Sequence, residues 1–188
     1  MPETHSALAL AAEDTWEAGE LAMLDEIVTA VVGALDRQGL NGRELLDGYQ
    51  FRRQPGEYLV DRPGDIALVN HATQEITLAD AAFKRLRGFY IIHELGHVVD
   101  WRTGRQLSAT FHARIGSDLE NQATADGFWL NLHARDDLEE ATADAFALWI
   151  MAAYAPGYRP VFAYTPLTAD YEGLKAALAA SLAALPRP

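Results

Sequence analysis

The chain has 188 residues and carries 27 acidic against 15 basic side chains, a formal net charge of −12, and it contains no cysteine. A surplus of acid on this scale repels phosphate backbones, so we expect no nucleic-acid partner. The absence of cysteine excludes disulfides, thiol nucleophiles, iron–sulfur clusters and cysteine-containing zinc fingers, so any metal must be bound by histidine, aspartate or glutamate. Hydrophobic residues make up 49% of the chain, enough for a core, and the length fits one domain over residues 1–188.

The sequence predicts no membrane contact and no secretory leader. The longest apolar run covers residues 145–155, which is 11 residues, whereas about 20 are needed to cross a bilayer. The first residues lack the basic region and the apolar run of a signal peptide. We therefore expect a soluble protein that is cytoplasmic by default, with export by a leaderless route as the alternative. The sequence indicates no oligomeric state.

In the first half of the chain, a helical pattern is followed by a pattern of short strands. Apolar residues at helical spacing predict a helix over residues 16–35, inside an N-terminal helical extension at 1–47. Short β-like runs at 49–51, 58–60, 66–69 and 76–79 alternate with turn formers and predict a small, mostly antiparallel sheet. Asp80 is interpreted as the N-cap of a further helix, and Gly88 as a joint before the next one.

The second half of the chain reads as helices joined by loops. A helix is predicted from residue 89 to about 102, and a loop-rich section over 103–117, where Gly104 and Gly116 occur. Helical pattern resumes near 119 and again from Asp136 or Asp137 to 154, and the aspartate pair offers an N-cap. An Ala/Leu-rich helix at about 168–185 follows. The predicted class is α+β, with the catalytic core at 66–154.

The chemistry is predicted within the 89–102 helix, in His93-Glu94-Leu95-Gly96-His97, an H-E-x-x-H motif. Residues four apart project from one helix face, so both imidazoles can reach one metal ion at about 2.0–2.1 Å. Glu94 points aside, where it can take a proton from a metal-bound water during hydrolysis. The alternative is an ordinary histidine pair on a solvated helix face. Apolar flanks argue against that alternative, because buried histidines need partners.

A catalytic zinc site takes three protein ligands and keeps an open position, so a third ligand must come from elsewhere. The longer H-E-x-x-H-x-x-G-x-x-H motif is not present, because Asp100 occupies the position of its glycine and Thr103 the position of its third histidine. The downstream candidates are Glu120, Glu139, Glu140, His112 and His133. Glu140 is favoured because Asp144 follows one turn later, where it can accept the second ring N–H of a metal-bound histidine. The alternative is that both acids form the exposed face of an amphipathic helix.

These two motifs, separated by 43 residues, resemble those of the gluzincin metallopeptidases. The chain is most similar to compact anthrax lethal factor-like proteins, which include the Pro-Pro endopeptidases, and to the minigluzincins. The resemblance covers about residues 66–154 and is specific in two helices. It implies a zincin-like fold in which a small sheet packs on an active-site helix and a glutamate helix, with Zn²⁺ as cofactor and a peptide or protein as substrate.

The resemblance also implies roles for single residues. It assigns zinc binding to His93, His97 and Glu140. Glu94 matches the general base, and Asp144 matches the carboxylate that orients a zinc-bound histidine. Asp100, one turn after His97, is expected either to orient that histidine or to cap the helix end.

Two features near the motifs are interpreted through the same family. Lethal factor-like enzymes often place an oxyanion-stabilising tyrosine seven residues before the ligand glutamate, and here that position is His133. This histidine can donate the hydrogen bond, or it is a capping or surface residue, with several tyrosines as rival donors. The run Ile76, Thr77, Leu78 and Ala79 matches the edge strand that would pair an extended peptide. The alternative for this run is an inner strand.

The leading hypothesis is a zinc-dependent endopeptidase that hydrolyses a peptide bond by Glu94-assisted attack of a zinc-bound water. The surplus of acid would favour neutral or basic peptide segments. A first alternative is a zinc-containing regulatory or binding protein related to the repressor-controlling metallopeptidases, although no helix-turn-helix segment is recognisable. A second alternative is a leaderless effector or toxin protease with one protein target.

Overall fold

A computed structural model describes residues 9–11, 15–120, 137–161 and 170–187, with no side-chain description for 116–120. Within these ranges the chain is α+β, as expected, with seven α-helices and one four-stranded mixed sheet. In chain order the elements are β1 (Ala9–Leu10), α1 (Ala18–Arg37), α2 (Gly42–Leu46), β2 (Gln50–Gln54), β3 (Ala67–Asn70), β4 (Glu75–Ala79), α3 (Asp80–Lys84), α4 (Phe89–Arg102), α5 (Gln106–Glu120), α6 (Leu138–Tyr154) and α7 (Tyr171–Ala184).

The sheet has the order β1-β2-β4-β3 and is not mostly antiparallel, so that expectation is wrong. The pairs β1/β2 and β2/β4 are parallel, and only β3/β4 is antiparallel. The predicted strand at 58–60 is also wrong, because this segment is a loop with a single bridge between Leu59 and Arg62. The chain therefore leaves β2, loops over residues 55–66 and returns through the β3/β4 hairpin, which makes β4 parallel to β2.

The run Ile76–Ala79 lies in an inner strand, which corrects its assignment as the substrate-binding edge. Strand β4 is hydrogen-bonded to β2 on one side and to β3 on the other. The outer strand on this side of the described sheet is β3. The amide of Ala79 donates to the carbonyl of Ile66 (2.9 Å), so by antiparallel alternation the backbone groups of Ala67 and Val69 point away from β4.

The helix boundaries agree with the sequence pattern except in one region. Helix α4 covers the predicted residues, and α6 begins after Asp137, whose side chain caps the amides of Glu139 and Glu140. The loop predicted over 103–117 is wrong, because α5 starts at residue 106. Its Leu107, Phe111 and Ile115 are buried at a spacing of four residues, a helical face that outweighs the glycine at position 116. None of the described helices has both the length and the apolar character that crossing a membrane requires.

The joint expected at Gly88 is present immediately before α4. Leu86, Arg87 and Gly88 have φ values of 49°, 50° and 81°, all in the left-handed region. A side chain at Gly88 would stand 2.6 Å from Cδ1 of Ile27 in α1, so this turn also packs closely on the N-terminal helix. Asp80 is the first residue of α3 rather than its N-cap, which is Ala79.

Helix α4 packs between the sheet and α6, and the helices meet most closely at Gly96. A Cβ atom at this position would lie 3.1 Å from Cα of Ala143 and 3.1 Å from Cβ of Phe146. Glycine lets the two backbones come this near without displacing either neighbour. The crossing brings the histidine face of α4 against the first two turns of α6.

We expect Gly96→Ala to lower the free energy of unfolding by about 1–3 kcal/mol, because the added methyl group overpacks the α4/α6 crossing. Gly19→Ala is the matched control: Gly19 is exposed in the first turn of α1, no atom lies within 4 Å of the new Cβ, and the substitution should stabilise the helix by up to about 1 kcal/mol. Urea denaturation of the three proteins checks both signs. A neutral Gly96→Ala would contradict the close crossing.

Candidate metal centre

Three potential ligand atoms converge where α4 faces the start of α6. The Nε2 atom of His93 lies 3.1 Å from Oε2 of Glu140 and 3.1 Å from Nε2 of His97. The other carboxylate oxygen, Oε1 of Glu140, lies 3.4 Å from Nε2 of His97. One ligand atom from each residue lies within 4.8 Å of the others. Two imidazole nitrogens and one carboxylate oxygen at this spacing could hold a divalent metal ion.

Asp144 fixes the orientation of the first histidine. Its Oδ1 atom lies 2.8 Å from Nδ1 of His93, and the Asp144 side chain is 2% exposed. A carboxylate at this distance accepts a hydrogen bond from Nδ1–H, so in the neutral imidazole Nε2 is the nitrogen that carries the lone pair. The nitrogen that faces Glu140 and His97, Nε2, is therefore the one that could bind a metal ion.

Burial and mutual contact shift the pKa values of these groups in the metal-free protein. Burial alone would lower the pKa of His93, but the hydrogen bonds to Asp144 and Glu140 raise it well above its usual range. Burial would raise the pKa of Glu140, but its hydrogen bonds to the two histidines hold it far below the usual range. The cluster thus pairs a carboxylate with an imidazolium when no metal ion neutralises it.

Glu94 lies beside the ligand cluster without belonging to it. Its residue surface is 7% exposed, and its carboxylate accepts a hydrogen bond from the backbone amide of Val69 in β3. Burial raises the pKa of Glu94, while the nearby His93 and His97 lower it in part. A carboxyl group with a raised pKa next to a metal position is suited to exchange protons with a water molecule.

Two cavities meet at this cluster. A cavity of about 240 Å³ is lined by Ile66 and by Phe89 and Tyr90 of α4, and a second of about 370 Å³ is lined by Val69, His71 and Arg105. Both share Asp65, Ala67, His93, Glu94 and Glu140. Within the described chain, the cleft therefore extends to both sides of the cluster along the outer edge of β3.

The structure gives the other candidate ligands different surroundings. Glu139 pairs with Arg105 at the rim of the cleft, and His112 is exposed on α5. The side chain of Glu120 and the whole of His133 lie outside the part of the chain that the structure describes. The role expected for His133 therefore stays a prediction. Of the five third-ligand candidates, Glu140 is the one that the described structure brings to the histidines.

Asp100 connects two helices instead of contacting His97. Its Oδ1 atom accepts a hydrogen bond from the backbone amide of Ser108 at 2.7 Å, and Asp100 is 4% exposed. Ser108 lies in the first turn of α5, where backbone amides need acceptors. Asp100 therefore caps the start of α5. This contact matches neither of its two expected roles, which were to orient His97 or to cap the end of α4.

A third imidazole in the cleft, His71, was missed by the sequence analysis. Its Nδ1 atom lies 2.7 Å from the hydroxyl oxygen of Tyr49. Its ring stacks on Trp101 with centroids 4.6 Å apart and planes 5° apart. These partners are 22 and 30 residues away in the sequence, immediately before β2 and in α4, so no local pattern connects them.

Comparison of the chain with protein-family models, with curated proteins and with solved structures found no match. The gluzincin resemblance therefore rests on the two motifs alone. The function has to be inferred from the geometry of the cleft.

We expect Glu140→Gln to weaken metal binding by more than about 100-fold, because the substitution removes a charged ligand and not only a neighbouring hydrogen bond. Glu139→Gln is the matched control on the adjacent residue. Its side chain is 42% exposed, so its loss should change the affinity by no more than about fivefold. Competition of each purified protein with a chelating dye measures both affinities. Equal losses in the two variants would contradict the assignment of Glu140.

The metal-free protein should lose stability as the pH rises. The pKa of His93 is raised in the folded state, so its contribution is fully present below its usual pKa of about 6.5 and is lost as the pH passes the raised value. A bound metal ion holds the imidazole neutral and removes this dependence. The increase in Tm on adding metal should therefore grow as the pH rises above about 6.5 and passes the raised pKa of His93.

Thermal scans with and without metal over this pH range test the linkage. Asp144→Asn should flatten the dependence of the metal-free protein, because it removes the carboxylate that holds the imidazolium of His93. A metal-free Tm that is constant across the range would show that His93 does not carry the expected proton.

Proposed function

We propose that this chain is a zinc-dependent endopeptidase. The observation that carries the proposal is the position of His93, His97, Glu140 and Glu94 at the junction of two cavities that follow the outer edge of one strand. The ligand set, the buried carboxyl group and the open cleft are the three parts that peptide hydrolysis at a metal requires.

The donor set favours zinc over other divalent ions. Two imidazoles and one carboxylate are a common zinc ligand set, and three protein ligands leave the open fourth position of a catalytic site. Magnesium and calcium prefer oxygen ligands, which this cluster does not supply in sufficient number. When bound here, zinc would supply a Lewis acid that lowers the pKa of water and polarises the substrate carbonyl.

Two residues of the chain would have separate tasks: Glu94 would transfer protons, and Asp144 would orient a metal-binding histidine. Glu94 would accept the proton of the attacking water and return it to the leaving amine. Its burial raises its pKa towards the working pH, which makes it a better proton donor in the second step. Asp144 would keep His93 in the tautomer that leaves Nε2 free for the metal.

Strand β3 would bind the substrate, in place of the inner strand that holds Ile76. The backbone groups of Ala67 and Val69 face away from β4, and both residues line the cleft. The Val69 amide is bonded to Glu94, so the groups offered to a peptide are those of Ala67 and the carbonyl of Val69. An extended peptide can add to such an edge through main-chain hydrogen bonds. Because the cleft continues on both sides of the ligand cluster, a peptide could pass through it, which favours cleavage within a chain over removal of a terminal residue.

We expect Glu94→Gln to retain about one zinc ion per chain and to lower the rate of peptide cleavage by about 10²–10⁴-fold. The reason is that Glu94 is not a ligand in the cluster, and the amide that replaces it has a similar size but accepts no proton. Glu44→Gln, on the exposed side of α2, is the control and should leave cleavage unchanged.

Cleavage of a mixed peptide library by the zinc-loaded protein, read by mass spectrometry, provides the measurement, with zinc determined by elemental analysis. Loss of zinc together with loss of activity would mean that Glu94 holds the metal. Full activity in Glu94→Gln would exclude the proposed mechanism.

A further inference from the structure

The imidazole of His71 is held by contacts on one nitrogen and on one face. Tyr49, which is 1% exposed, places its hydroxyl oxygen 2.7 Å from Nδ1. Trp101 stacks on the ring face at 4.6 Å. The turn that carries His71 is itself fixed, because the side chain of Asn70 accepts hydrogen bonds from the amides of Ala72 and Thr73. The ring therefore has one defined orientation, with Nε2 on the side away from Tyr49.

The contact with Tyr49 also determines which nitrogen carries the proton. Burial raises the pKa of Tyr49, although Arg102 lowers it in part, so the phenol stays protonated at neutral pH. In the described part of the chain, His71 is the hydrogen-bond partner of this hydroxyl group, and a buried donor without an acceptor is costly. The phenol therefore donates to Nδ1, and the proton of the neutral imidazole lies on Nε2.

His71 is a neutral donor rather than an additional cation. Burial lowers its pKa, and the charges of His97 and Arg105 lower it further, against a smaller opposing effect of Asp100. Among the described residues no partner is bonded to Nε2. His71 lines the cavity of about 370 Å³, and a neutral imidazole N–H group can donate a hydrogen bond to a ligand that offers an oxygen.

The position of this N–H group is set by the same helix that carries the metal ligands. His93, His97 and Trp101 follow one another at intervals of four residues and share one face of α4. Trp101, on which the ring of His71 stacks, follows His97 by one helical turn, about 6 Å along the axis. His71 is not one of the residues that form the ligand cluster, yet it lines the same cavity of about 370 Å³.

We infer that His71 is a catalytic residue that donates a hydrogen bond from Nε2 to the oxygen of the scissile carbonyl, where negative charge develops during hydrolysis. The inference rests on the proposed peptidase function. A prepositioned donor at this oxygen stabilises the transition state more than the ground state. The sequence analysis considered the same role for His133, which lies outside the described residues, with a capping or surface position as its alternative.

The test uses the full zinc-loaded chain and a fluorogenic peptide taken from the sequences that the wild-type protein cleaves. His71→Phe keeps a ring on Trp101 but has no N–H group. Its kcat should fall by about 10²-fold or more, while KM changes by less than about threefold and the zinc content stays at about one per chain. His112→Phe, on the exposed side of α5, is the control and should retain kcat.

A second variant separates the catalytic role from a folding defect. His71→Phe leaves the buried hydroxyl of Tyr49 without an acceptor, whereas the double variant Tyr49→Phe/His71→Phe removes both groups. The double variant should regain the wild-type Tm and keep the low kcat. If it regains kcat together with Tm, the effect of the single substitution is structural and the inference is overturned.

A further measurement does not depend on activity. Long-range ¹⁵N–¹H NMR spectra of histidine-labelled protein, recorded with and without zinc, distinguish the two imidazole tautomers. We expect His71 as the Nε2–H tautomer in both states. An Nδ1–H tautomer would overturn the inference.

The outcomes separate this inference from the proposed function. A wild-type protein that cleaves peptides alongside a His71→Phe variant with unchanged kcat would overturn the role of His71 and leave the peptidase function standing. A loss that appears only in KM would make His71 a binding residue and would also overturn the role. A zinc-loaded wild type that cleaves no peptide would overturn the peptidase function, and the role of His71 with it.

Discussion

The candidate site depends on one close contact between two helices. Glycine at position 96 allows α4 to approach the backbone of α6, where a side chain would stand 3.1 Å from Ala143 and Phe146. The two histidines lie on α4 and the two carboxylates, Glu140 and Asp144, on α6, so the spacing of the helices sets the distances between the histidines and the carboxylates. The geometry of the candidate metal site is therefore determined partly by residues without polar side chains, which make the crossing close enough.

The same crossing buries charge that the metal-free protein tolerates poorly. His93, Glu94 and Asp144 are each less than a tenth exposed, and burial raises the pKa of both carboxyl groups. Removing such groups from water is unfavourable unless they are paired, and they are paired mainly with one another. A cation at the ligand cluster would offset this cost, because it would supply the positive charge that the cluster otherwise draws from an imidazolium. The packing that buries the core thus also places these charged groups where a cation would stabilise them.

The sequence predicted best what is determined locally. The bounds of α4, the cap of α6 by Asp137 and the spacing of the two motifs follow from helical periodicity and from short-range hydrogen bonds. The strand directions did not follow, because turn formers indicate where the chain bends but not which strands pair after the bend. The α5 helix was missed because glycine was given more weight than the buried positions at 107, 111 and 115. The position of His71 depends on Tyr49 and Trp101, which are distant in sequence, and no periodicity marks such a contact.

The sheet topology decides how the base and a substrate would be placed relative to each other. Because β2 and β4 pair in parallel, the hairpin leaves β3 on the outside, beside α4. Val69 of this strand donates its amide to Glu94, and alternate residues of the strand direct their backbone groups into the cleft. His71 follows at the end of the same strand. A peptide added to β3 would therefore be positioned by the segment that also orients the proposed base and the proposed hydrogen-bond donor.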